Sequence, residues 1–117
     1  MNQDEFTKRL RSVALDPAVD GVIGIVRAPP GRRPAQDLVE LSRWFTTLSA
    51  DDIGHVREMM ELVAHQAVFG VLAILDGSRQ VEETQGPKGH FELRHVTADG
   101  ESTVLAGPGT GPIHEQL

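Results

Sequence analysis

The strongest constraint on this chain is a single long helical pattern. Ile53, Val56, Met60, Val63, Ala64, Ala67, Val71 and Ile74 form one apolar stripe at helical spacing. Ser49-Ala50-Asp51-Asp52 precedes it, with a serine oxygen to cap free amides and two aspartates placed favourably against the helix dipole. Asp76-Gly77 ends it, because glycine can take the left-handed cap. The other face carries Glu58, Glu61 and His65 first, then Phe69 and Leu72. The first half of the helix is therefore expected to be half-buried and the second half buried all round. Cover for the second half must come from other elements of the chain or from a second copy.

The rest of the chain has to fold around that spine. Phe6, Leu10 and Val13 lie on one stripe and predict an amphipathic helix over residues 3–15, closed by Asp16-Pro17 because a residue before proline is pushed out of helical geometry. Residues 21–26, β-branched and punctuated by glycine, read as a short buried strand. Residues 28–34 carry three prolines and Gly31, so they form an exposed loop. Pro34 suits the first turn of a second helix, whose Leu38, Leu41, Phe45 and Leu48, with Trp44 beside them, should face inward. Further on, Phe91, Leu93 and His95 fall on one side of a strand, and Asp99-Gly100 turns it into a partner over residues 103–106. Residues 107–117 read as a glycine- and proline-rich tail with at most one helical turn. The expected fold is one α+β domain: three helices, the third long and apolar, packed on a small antiparallel hairpin, with residues 22–26 as a candidate third strand.

Composition narrows the function classes. At 117 residues there is room for one domain, and without cysteine there is no disulfide framework and no thiolate metal site. The charged N-terminus lacks the pattern of a signal peptide, and the apolar run 67–75 is shorter than a bilayer requires, so a cytoplasmic protein with no membrane partner is expected. The net charge of −6 is uneven. Residues 1–34 carry six basic and four acidic side chains, while residues 35–117 carry five basic and thirteen acidic ones. An acidic body repels phosphate backbones, and four Phe and one Trp offer little for base stacking, so nucleic acid is not the expected partner.

From Leu41 onward, Trp44-Phe45, Leu48-Ser49-Ala50-Asp51-Asp52, Ala67-Val68-Phe69-Gly70, Leu75-Asp76-Gly77 and Gly89-His90-Phe91-Glu92-Leu93 form a series. It resembles a family of small uncharacterised bacterial proteins with an aromatic pair, a capped long helix ending in Leu-Asp-Gly, and a short hairpin. The resemblance covers the last two thirds of the chain and implies no particular reaction; by analogy it points to companion proteins of the immunity or adaptor kind.

Few residues suggest chemistry. Glu58, Glu61 and His65 share a helix face, and the 61/65 pair could hydrogen-bond across one turn. Functionally that would be a carboxylate-histidine half-site for a metal or a general base; structurally it is the solvated face of an amphipathic helix, and the absence of HExxH spacing favours the structural reading. His90 and His95 point to opposite faces of a strand, and His55 and His114 have no evident partner. The glycines at 107, 109 and 111 lack the GK[ST] and following helix of a phosphate loop. No serine sits in a nucleophile elbow, and Asp76 reads as a residue that satisfies local amides.

Recognition features are clearer. Asp51, Asp52, Glu58 and Glu61 could steer a basic protein, Trp44 offers an aromatic edge, and Arg32-Arg33 on the proline-rich arm present guanidinium forks. The expected function is a non-enzymatic protein-protein interaction protein, an immunity or regulatory partner with an acidic face, no cofactor and no metal, able to form a homo-oligomer through the third helix. The alternative is a small enzyme or metal-binding protein using Glu58, Glu61 and His65, with His65 and Glu61 as the catalytic pair. Small-ligand binding between helix and sheet is compatible with the pattern but has no marker in it.

Overall fold

The computed structural model describes residues 1–117. Three helical rods and a two-stranded antiparallel hairpin give the α+β class that the patterning predicts.

The first rod is longer than its sequence signals suggest. It comprises α1 (Gln3–Leu10), a π-helical turn (Arg11–Leu15) and α2 (Asp16–Arg27), with helical dihedrals at both junctions. Asn2 opens it with a capping box: its side chain accepts the Glu5 amide, and the Glu5 carboxylate accepts the Asn2 amide. Asp16-Pro17 does not close this helix. In a regular α-helix the proline ring collides with the carbonyl four residues back. Here the Asp16 amide donates five residues back, to Arg11, and the wider turn lets Pro17 enter the first turn of α2. The strand expected at 22–26 is likewise helix, because Leu15, Val19, Ile23 and Val26 are the buried residues and their spacing is helical.

Residues 28–34 form the expected loop, with Gly31 at φ 86°. The second rod, α3 (Gln36–Phe45), begins after Ala35, so Pro34 lies outside its first turn. Phe45 is buried and Leu38 and Leu48 pack beside it, but Leu41 and Trp44 are about half exposed and do not face inward as expected.

The third rod, α4 (Ala50–Leu75), has the predicted limits. The Ser49 hydroxyl accepts the Asp52 amide at its start, and Gly77 at φ 83° ends it. By length and composition alone α4 could also span a bilayer; in this fold it bridges two small cores. The first holds Val19, Ile23, Val26 and Phe45 against the N-terminal half of α4. The second holds Leu72, Leu105, Ala106 and Ile113, with Phe6, Leu10 and Leu93 packed around them. The C-terminal half of α4 is not buried all round, since Ala67 and Val71 are exposed.

β1 (Leu93–Val96) pairs with β2 (Ser102–Ala106), with a bulge between Leu93 and Arg94 and Gly100 at φ 93° in the turn. Leu93 and His95 face inward, whereas Phe91 precedes the strand and is exposed. Residues 107–117 are no loose tail. Ile113, on a 3₁₀ turn (Ile113–Gln116), is fully buried, and the Gln3 side-chain amide donates to the carbonyls of Leu105 and Gly111 at 2.6 and 2.9 Å.

Candidate functional site

The largest concavity lies where α2, α3 and α4 meet. Ala18, Val19 and Val22 of α2 and Trp44 of α3 form one side of it. Val56, Met59, Met60, Val63 and Ala64 of α4 form the other, and the groove they enclose is about 480 Å³. Every lining side chain is apolar. The residues on its rim are left largely in water: Trp44 is 50% exposed, Met59 66% and Val63 67%. The helical pattern puts them there, because α4 turns Val56, Met60 and Ala64 toward the first core and the next residues around the helix outward. Small-molecule sites combine apolar walls with a few converging polar groups. This groove has only the walls.

The polar residues gather in a separate crevice between the first rod and α4. Glu61 and His65 line it with Arg11, Leu15, Asp16, Val19 and Ala64, around a space of about 100 Å³. Beside it the Arg57 guanidinium donates to Asp20 at 2.8 Å, a pair that remains substantially exposed. The structure thus brings His65 and Glu61 to one crevice, but no hydrogen bond joins them, and Glu58 does not line it. The His65 ring instead stacks on Phe69, centroid to centroid 6.2 Å. No group of three or more histidine and carboxylate side chains converges to hold a metal ion.

A further polar contact involves residues whose pairing has no signal in the sequence. Asp76, at the C-cap of α4, accepts the Ser78 amide at 3.0 Å with one carboxylate oxygen. With the other it accepts the His114 amide at 3.2 Å and meets His114 Nδ1 at 2.5 Å. Its side chain is 1% exposed. Burial pushes this carboxyl up, but the hydrogen bonds from Ser78 and His114 outweigh it and hold the group at about 2. The imidazole of His114 meets Phe69 edge to face at 4.9 Å. The amide-satisfying role read for Asp76 holds for Ser78; the bond to His114 spans 38 residues of sequence and arises from the tertiary fold.

The remaining recognition residues are dispersed. Asp51 and Asp52 are exposed in the first turn of α4, and Arg32 and Arg33 are exposed on the loop between α2 and α3. Of the residues expected to meet a partner, Trp44 alone lines the apolar groove. The α4 side of the groove was partly legible, since Val56, Met60, Val63 and Ala64 belong to the predicted stripe and Met59 is an apolar residue beside it. Compared with protein-family models, curated proteins and solved structures, the chain matches none of them, and the functional reading rests on its own geometry.

Proposed function

We propose that the protein acts by associating with other protein chains, not by catalysis, through the apolar face formed by α2, α3 and α4. The observation that carries this reading is the groove of nine apolar side chains, open to water and without a polar group to orient a reacting molecule. Contiguous apolar surface of this kind is costly in water and marks contact sites. Trp44 and Met59 on the rim are residue types that anchor interfaces. Elsewhere on α4, Asp51, Asp52, Glu58 and Glu61 are exposed and add acidic charge that would favour a basic partner, as expected of a regulatory or immunity protein.

The test is photo-cross-linking in the cell with a benzophenone amino acid at position 59, and at position 83 in the exposed connection as the control. Protein adducts specific to position 59 are expected. Recovery of the uncoupled chain alone from both positions would count decisively against an interaction role.

A further inference from the structure

We propose that the occupant of this apolar face is a second copy of the chain, packed about a two-fold axis with α4 antiparallel to its counterpart. The inference rests on the association reading above and names the partner.

The first argument is area. A folded monomer of 12.7 kDa exposes about 6,200 Å² by the surface-to-mass scaling, and this chain exposes 8233 Å². The excess is about 2,000 Å², against the roughly 800 Å² that each partner contributes to a standard interface. Part of it belongs to the polar connection 78–92, but the interface needs less than half. Val22, Trp44, Met59, Val63 and Val71 are each about half exposed or more. At roughly 100 Å² apiece, they supply more than half of that requirement before their smaller neighbours are counted.

The second argument is stability. Only 13 of 117 residues are buried, the hydrophobic clusters among them hold just four residues each, and the radius of gyration is 18.8 Å where a compact chain of this length has about 13 Å. A chain so open needs its cover whenever it is folded. A second copy is the partner that is always present in equal amount, and association of this kind adds to the stability of a marginal subunit.

The third argument is complementarity. Met59, Val63, Ala67 and Val71 are all exposed and four residues apart, which makes one continuous ridge on α4. An axis through the middle of that ridge sets Met59 against the partner's Val71 and Val63 against the partner's Ala67, large against small. From Leu62 to Leu75 the helix has no charged residue, so two chains of charge −6 meet here without opposing like charges. Glu61, which lines the crevice on the first-rod side, stays outside the contact.

The experiment measures the mass of the intact chain by sedimentation equilibrium, together with Val63→Glu and with Val63→Cys/Ala67→Cys in this cysteine-free sequence. The expected results are twice the 12.7 kDa chain mass for the wild type at micromolar concentration, loss of that species in Val63→Glu, and a covalent dimer from the cysteine pair under oxidation. If Val63→Glu fails to fold, the cysteine pair decides alone. A wild type that stays monomeric up to 100 µM, or a dimer that neither yields to Val63→Glu nor forms the cross-link, overturns the proposal. A monomer that still gives position-59 adducts with a different protein overturns the second copy while leaving the association reading intact.

Discussion

Asp76 shows how one residue ties distant parts of this chain together. Its carboxylate holds the end of α4, the Ser78 amide and the 3₁₀ turn through His114. Because the folded pKa is lowered to about 2 from an ordinary 3.8, the group adds stability that is fully present above 3.8 and is lost as the pH falls through about 2. Denaturant titrations between pH 5 and 2 should therefore show stability falling in the wild type, with a flatter profile in Asp76→Ala. At pH 7 that variant should be about 2 kcal/mol less stable, since it strands buried donors that now meet a charge. Equal pH slopes for the two proteins would refute this account of Asp76. His65 and Glu61 show the reverse. Helical spacing put them on one face, as the sequence reading has it, and they line one crevice, but no hydrogen bond joins them.

At the scale of elements, the rod from Gln3 to Arg27 is where local signals misled. Pro17 looked like a terminator and residues 21–26 like a strand; a π turn and the packing of α2 against α3 and α4 overrode both. The buried set Leu15, Val19, Ile23 and Val26 is at helical spacing, but alternation with Gly21 and Gly24 obscured it. Alanine substitutions should separate the two readings. Ile23→Ala should cost about 2–4 kcal/mol and Ile25→Ala, at a half-exposed site, under about 1 kcal/mol by chemical denaturation. Gly21→Ala and Gly24→Ala should each stabilise by about 0.5–1 kcal/mol, because both glycines are helical and a Cβ at either position meets nothing within 4 Å. Destabilisation by both glycine variants would mean that this segment is not the helix described.

The whole molecule is held at two places rather than one. Ile113 is fully buried and completes the second core with Leu72, Leu105 and Ala106, so Ile113→Ala should cost about 2–4 kcal/mol although it lies only four residues before Leu117. The remaining apolar surface governs behaviour in solution. If two chains share it, thermal unfolding of the wild type is linked to association, and the melting temperature should rise as protein concentration is increased tenfold, while a dissociated variant such as Val63→Glu should show no such dependence. A concentration-independent transition in the wild type would remove this linkage.

Short-range information determined much of the fold. The Ser49 cap, the Gly77 stop, the proline-rich loop and the Asp99-Gly100 turn are local steric and hydrogen-bonding events, so α4 and the hairpin could be read from adjacent residues. The α+β class followed from those elements. Tertiary structure alone decided that the first rod runs through Pro17, that the tail enters a core, that Asp76 meets His114, and that Trp44 and Val71 remain in water. Each of those outcomes depends on which surfaces are brought together by segments far apart in the chain, and periodicity records only that a residue is apolar, not which partner, if any, will cover it.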